Sequence, residues 1–149
     1  MQAVVLIGIQ ATGKSSFCRE RFGETHVRIS LDMLKTRHRE ARILEVCCDT
    51  QQPFVIDNTN PTKEDRSRYI VPARKAGMRV IGYYFASSIG GALARNAERE
   101  GKARIPDGGV HATHARLELP AMDEGFDELH YVQIRDGKLE VEAWREERP

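Results

Sequence analysis

Apolar residues come in short runs along the chain, separated by longer stretches dominated by polar and charged positions. The first run, Ala3-Val4-Val5-Leu6-Ile7, has no polar member and predicts a strand buried on both faces. Ser16 to Phe22 predicts a first helix, and His26-Val27-Arg28-Ile29-Ser30 alternates as a short second strand. A long helix is expected from Asp32 to about Asp49, with Met33, Leu34, Ile43, Leu44 and Val46 among its apolar positions. Pro53-Phe54-Val55-Ile56-Asp57 predicts a third strand that ends on a carboxylate. Thr62 caps the next helix, with Asp65 in a variant capping box. That helix runs to Ala76, is kinked by Pro72 and stops at Gly77. Met78 to Phe85 predicts a fourth strand, and Ser87 or Ser88 caps a helix continuing through about Arg99. A basic, glycine-containing loop spans Glu100 to Gly109, and a short helix runs from His111 or Ala112 to Leu119. The tail predicts a hairpin, Leu129 to Arg135 and Lys138 to Trp144, turned by Asp136-Gly137. Tyr131 and Trp144 are expected to pack it onto the sheet.

Alternating strands and helices imply an α/β three-layer sandwich with a mainly parallel sheet of about five strands and right-handed crossovers. In such sheets ligands collect at the carboxyl ends of the strands. Three candidate groups fall there: a glycine-rich loop after the first strand, Asp32 after the second and Asp57 after the third.

At 149 residues the chain is expected to form one domain, 1–149. No apolar segment approaches the roughly 20 residues that span a bilayer. The N-terminus opens on a strand without a charged leader, so no membrane association and a cytoplasmic location are expected. Net charge is +1, which excludes a polycation wrapped on duplex nucleic acid, though basic clusters occur at Lys35 to Arg42 and Lys63 to Arg68. Cys47 and Cys48 are neighbours that do not face each other, and read as reduced, partly buried thiols. His111 and His114 have metal-compatible spacing but no third ligand, so a surface helix start explains them better.

The most specific local signal is Gly8-Ile9-Gln10-Ala11-Thr12-Gly13-Lys14-Ser15, which fits the phosphate-binding pattern G-x-x-x-x-G-K-[ST] between a strand and a helix. Glycines let successive N–H groups turn inward at a helix N-terminus, where an oligophosphate is held. The expected nucleotide contacts are Gly8, Gln10, Ala11, Thr12, Gly13, Lys14, Ser15 and Ser16. Lys14 would reach the β- and γ-phosphates and Ser15 would ligate Mg²⁺. Asp57 sits where such proteins place a metal-holding acid, or else opens the turn Asn58-Thr59-Asn60-Pro61. Asp32 is placed either to accept a hydroxyl proton or to cap a helix, and position alone does not separate the two.

Beyond these local readings, the chain resembles the kinase domain of polynucleotide 5′-hydroxyl kinases from Met1 to about Pro120. The resemblance rests on the phosphate loop, Ser30-Leu31-Asp32, Val55-Ile56-Asp57-Asn58-Thr59-Asn60-Pro61, Arg66-Ser67-Arg68-Tyr69 and Arg95-Asn96-Ala97-Glu98-Arg99-Glu100. It implies a P-loop kinase-type fold with a short basic lid. It also implies ATP as phosphoryl donor, Mg²⁺ as cofactor and a single-stranded 5′-OH nucleic-acid end as acceptor. Asp32 would be the general base, Lys14 and Arg99 would stabilise the transferring phosphate, and Arg95 would lie near the ATP. Ser15 and Asp57 would hold Mg²⁺, while Lys35, Arg37, Asn58 and Asn60 would serve the acceptor. Lys35 stands where family members often carry arginine, and lacks arginine's bidentate fork. A repair phosphatase or ligase is expected on a separate chain. Two other readings share the motif: a small P-loop kinase acting on a metabolite, antibiotic or aminoacyl-tRNA, and a nucleotide-binding switch without an acceptor.

Overall fold

The computed structural model describes residues 1–146. Chain order is β1 (Gln2–Ile7), α1 (Lys14–Phe22), β2 (Val27–Ile29), α2 (Leu31–Leu34), α3 (Arg37–Thr50), β3 (Phe54–Ile56) and α4 (Lys63–Lys75). There follow β4 (Arg79–Phe85), α5 (Ile89–Ala97), α6 (Asp107–Arg116), β5 (Glu128–Arg135) and β6 (Lys138–Ala143). The strands form a six-stranded sheet in the order β2-β3-β1-β4-β5-β6, with β1 at its interior. β1 pairs in parallel with β3 through Val4↔Val55 and with β4 through Val4↔Ile81. A strand with neighbours on both edges and helices on both faces has no polar environment, which is why β1 is apolar throughout.

Two-residue periodicity sorts the strand residues to the two faces. Ala3, Val5 and Ile7 join Leu44, Cys47, Tyr69, Ile70 and Ala73 on the side covered by α3 and α4. Val4 and Leu6 join Phe17, Cys18 and Phe22 of α1 on the other. Cys18, Cys47 and Cys48 are free and buried, and burial pushes all three thiols up. The C-terminal hairpin is part of the sheet: β5 adds in parallel to β4, and β6 adds antiparallel to β5. Asp136 and Gly137 turn it with φ of 51° and 75°, as a two-residue hairpin turn with both residues left-handed requires. Trp144 and Tyr131 pack against Tyr84, with ring centroids 5.3 and 6.1 Å away.

Three expected boundaries shift. The helix expected from Asp32 to Asp49 is two helices. Lys35 ends α2 at φ 75°, and Thr36 starts α3 by accepting the Arg39 N–H on its hydroxyl. A hydroxyl cap relieves an orphan N–H and here outcompetes continuation of the helix. α5 ends at Ala97, short of Arg99, because Asn96 closes a two-bond clamp on Ile105 that draws the chain away. α6 begins at Asp107, inside the expected loop, and ends at Arg116 rather than Leu119. Asp107 suits a helix first turn, and burial of Val110 anchors that turn despite Gly108 and Gly109.

Candidate active site

The loop after β1 doubles back to the N-terminus of α1 in a conformation held from several sides. Gly13 takes φ 97° at the start of α1, a left-handed conformation that glycine adopts without strain. The Gly8 N–H donates to the Thr59 carbonyl at 3.0 Å, tying the loop to the segment after β3. Thr12, buried, donates its hydroxyl to the Ile9 carbonyl at 2.8 Å. From α5, Arg95 Nε donates to the Ala11 carbonyl at 2.5 Å, fixing the loop's crest, where Ala11 has φ 61°. Gln10 donates to Thr113 Oγ1 of α6 at 2.9 Å, and Ser16 is exposed beside Arg19.

Lys14 folds back under the loop. Its ammonium donates to the Ile9 carbonyl at 2.6 Å, and burial pushes its pKa down to about 8. Asp57 opposes that fall and the guanidinium of Arg99 adds to it. Asp57 is buried at the end of β3, and its Oδ2 accepts from the Ser15 hydroxyl at 3.1 Å and from Arg28 Nε at 2.8 Å. Lys14, Ser15, Asp57 and Arg99 line a cavity of about 100 Å³ with Arg28, Ser30 and Asp32.

A second cavity of about 200 Å³ adjoins it, lined by Leu31, Asp32, Arg37, Asn58, Asn60 and Arg116 among others. Asp32 and Asn58 are walls of both cavities. A third, of about 460 Å³, is lined by Arg95 with Ser87, Ser88, His114, Tyr131 and Gln133 among others. Burial and the neighbouring Arg99 together pull the Arg95 guanidinium below its ordinary range.

Most of the positions expected from the sequence converge here, but Lys35 does not, and Asn60, Arg95 and Arg99 are held in ways the sequence did not show. Lys35, exposed on the hinge between α2 and α3, lines neither the 100 nor the 200 Å³ cavity. Its left-handed backbone turns it out of the row that a continuous helix would have given it. Arg37 does reach the second cavity, and Arg39 instead donates to the Leu34 carbonyl at the end of α2. Asn60 is buried and donates from Nδ2 to the Leu6 carbonyl of β1 at 2.7 Å, so its amide braces the sheet. Arg95 lies on α5, whereas Arg99 follows the end of that helix and enters the phosphate-loop cavity from the loop.

Arg28 and Arg116 had no part in the expected site. Arg28 had a legible signal, a basic residue near the carboxyl end of an alternating strand. Arg116 had none, since its partner Asp65 is 51 residues away and 3.4 Å distant. His111 and His114 gain no third ligand, and among the described residues no group of three or more His, Cys, Asp or Glu could hold a metal ion. No helix among them is long and apolar enough to cross a membrane.

A family model described as an AAA domain matches residues 4–120. The chain is 26% identical over 147 residues to a bifunctional polynucleotide phosphatase/kinase of Schizosaccharomyces pombe. That match takes in 96% of this chain and 36% of the relative, so the chain spans about a third of the relative's length. Kti12 of Chaetomium thermophilum, solved in complex with ADP-AlF3, superposes with a TM-score of 0.69 at 16% identity over 90% of each chain. A sugar kinase of Janibacter sp. HTCC2649 gives 0.67 at 16% identity, covering 88% of this chain and 85% of the other. A gluconokinase of Sinorhizobium meliloti gives 0.58 at 17% identity, covering 87% and 82%. At such identities the likeness is one of fold.

Proposed function

The chain belongs to the AAA-domain family whose model covers residues 4–120, and from that premise we propose that it is an ATP-dependent kinase transferring the γ-phosphate to a 5′-hydroxyl of a nucleic-acid end. Its fold is the P-loop kinase-type sandwich shared with the sugar kinase and the gluconokinase. The observation that carries the reading is the position of Asp32. Asp32 lines both the cavity of Lys14 and Ser15 and the cavity of Arg37 and Arg116. A nucleotide switch has no use for a carboxylate facing a second cavity, whereas a kinase needs one there to receive the acceptor's proton.

In this reading the phosphate loop cradles the triphosphate and the 460 Å³ cavity bordered by Arg95 takes the nucleoside. Lys14 leaves the Ile9 carbonyl for the β- and γ-oxygens, and Arg99 contacts the γ-phosphate from the lid side. Asp32 accepts the hydroxyl proton as the acceptor oxygen bonds to the γ-phosphorus and the bond to the ADP oxygen breaks. Because the transition state spreads charge over the phosphoryl oxygens, cations fixed around it supply most of the stabilisation.

The Ser15 hydroxyl and the Asp57 carboxylate, 3.1 Å apart, are a hard oxygen pair that would hold Mg²⁺. Mg²⁺ held there would screen the phosphate charge. The ADP-AlF3 carried by Kti12 supports the donor, and likeness to the fission-yeast polynucleotide phosphatase/kinase supports the acceptor class.

A small hydroxylic acceptor is the competing reading, favoured by the modest 200 Å³ of the acceptor cavity and by the sugar-kinase neighbours. Incubation with γ-labelled ATP, Mg²⁺ and a panel of 5′-OH oligonucleotides, tRNA and small alcohols separates the two. Label is expected on the oligonucleotide 5′ end. Label on a small alcohol or aminoacyl-tRNA alone defeats the polynucleotide reading.

A further inference from the structure

Glu40, in the first turn of α3, is 1% exposed and touches neither of the two cavities that meet at Asp32. Its Oε1 accepts from Arg37 Nη1 at 2.8 Å and from the Tyr69 hydroxyl at 3.0 Å. Its Oε2 accepts from Asn58 Nδ2 at 3.0 Å. On the other side of the same amide, Asn58 Oδ1 accepts the backbone N–H of Leu31 at 2.9 Å. Leu31 opens α2 and precedes Asp32. Its N–H is one of the orphan donors of a helix first turn, and Ser30 makes no side-chain cap to relieve others. Asn58 therefore caps the Asp32 turn from a different element, and Glu40 sets which way the Asn58 amide points, together with the Tyr69 hydroxyl, which also accepts from Asn58 Nδ2 at 3.1 Å. A flipped amide would set its NH₂ against the Leu31 N–H and its oxygen against the Glu40 carboxylate.

We infer that Glu40 is a positioning residue for the phosphoryl-acceptor side of the site: through Asn58 it fixes the Leu31–Asp32 turn, and directly it holds the Arg37 guanidinium at the acceptor cavity. The inference rests on the reading of Asp32 as general base. A carboxylate at position 40 accepts from all three donors at once, while an amide there cannot. In Glu40→Gln the amide oxygen can keep Arg37 and Tyr69, but its NH₂ then faces the NH₂ of Asn58. Turning the new amide would set its NH₂ against the Arg37 guanidinium, so Asn58 is the one that turns, and the Leu31 N–H loses its acceptor. Adding Asn58→Asp restores the pattern, because a carboxylate at 58 accepts from both the new amide and Leu31.

The test compares the parent, Glu40→Gln, Asn58→Ala and the Glu40→Gln/Asn58→Asp double variant in two measurements. Amide exchange at Leu31, followed by nuclear magnetic resonance, reads the relay without any activity. It should speed up at least about tenfold in both single variants and return to the parent rate in the double variant. Steady-state kinetics should show kcat lowered about 10- to 100-fold in Glu40→Gln, the scale of a small misplacement of a reacting group. KM for ATP should stay within about twofold, and the double variant should recover most of kcat. A merely structural Glu40 would lower Tm and would not be rescued by a second substitution. Unchanged Leu31 exchange in Glu40→Gln or Asn58→Ala, or a double variant no better than the single, overturns the relay. A parent that phosphorylates no acceptor overturns the kinase reading instead, while Leu31 exchange still decides the relay.

Discussion

Arg28 and Ser15 converge on one oxygen of Asp57, the guanidinium Nε at 2.8 Å and the hydroxyl at 3.1 Å. That oxygen is also the hard donor beside the phosphate loop, so Arg28 would compete with a cation held there. Arg28 is 37% exposed at the side chain, whereas Asp57 is 3% exposed. Arg28→Gln should therefore leave a buried carboxylate underpaired, lowering Tm in metal-free buffer. Added Mg²⁺ should raise Tm by more in this variant than in the parent. Thermal melts with and without Mg²⁺ check it, and an equal or smaller Mg²⁺ shift counts against competition at Asp57.

Lys14 is expected to tie nucleotide binding to pH. Its folded pKa of about 8 lies below the 10.5 of an ordinary lysine because burial disfavours the charged form. The folded state consequently binds fewer protons than the unfolded chain between those values. The destabilisation is fully present below about pH 8 and is relieved as pH rises toward 10.5. At roughly 1.4 kcal/mol per pKa unit this is of order 3 kcal/mol, and Lys14→Met should recover part of it in nucleotide-free protein. The triphosphate, in turn, favours the charged ammonium. Binding at pH 8 should take up a fraction of a proton and weaken as pH rises further. Calorimetry in buffers of different ionisation enthalpy measures that uptake, which should vanish in Lys14→Met along with most of the affinity.

Asp32→Asn keeps the shape of the proposed base and removes its proton affinity. Turnover should fall roughly 10²- to 10⁴-fold, the usual contribution of general-base catalysis, with ATP binding nearly unchanged. On the acceptor side, Arg37→Ala and Arg116→Ala should raise the acceptor KM while sparing ATP, because both side chains line the second cavity. Lys35→Ala should have little effect, its side chain lying off that wall. With two such cations and about −0.7 per single-strand phosphate neutralised, the slope of log K against log salt should be near −1 to −2. A strong Lys35 effect or a much steeper slope would point to a longer nucleic-acid track.

Arg66 is completely buried in α4 and grips Glu124 through two bonds, Nε to Oε1 at 2.8 Å and Nη2 to Oε2 at 3.1 Å. Its remaining Nη1 donates to the carbonyls of Asn60 and Pro61 at 3.0 and 3.2 Å, which steadies the segment carrying Asn58. Glu124→Ala strands that guanidinium in the interior and should cost about 3–5 kcal/mol. Urea unfolding measures the loss, and a change under about 1 kcal/mol would mean that water reaches Arg66 unseen.

The features legible in the sequence were those with local causes. The phosphate loop is a contiguous motif whose glycine at 13 answers a left-handed backbone requirement, and it appears where its flanking strand and helix predict. The apolar runs of β1 and β3 announce burial on two faces because any strand interior to such a sheet lacks a polar side. Asp57 and Asp32 followed from the rule that a parallel sheet gathers ligands at its carboxyl ends. What remained hidden depended on partners far along the chain. Arg28 meets Asp57 across 29 positions and Arg66 meets Glu124 across 58, pairings created by the strand order β2-β3-β1-β4-β5 and invisible to periodicity. Element ends were equally nonlocal: Asn96 clamps Ile105 and so removes Arg99 from α5. The Glu40–Asn58–Leu31 relay joins three elements, and only their packing gives a buried glutamate on a basic helix anything to hold. Local chemistry names the groups a site can use, but the tertiary hydrogen bonds aim them, because a side chain's direction is set by whatever satisfies it.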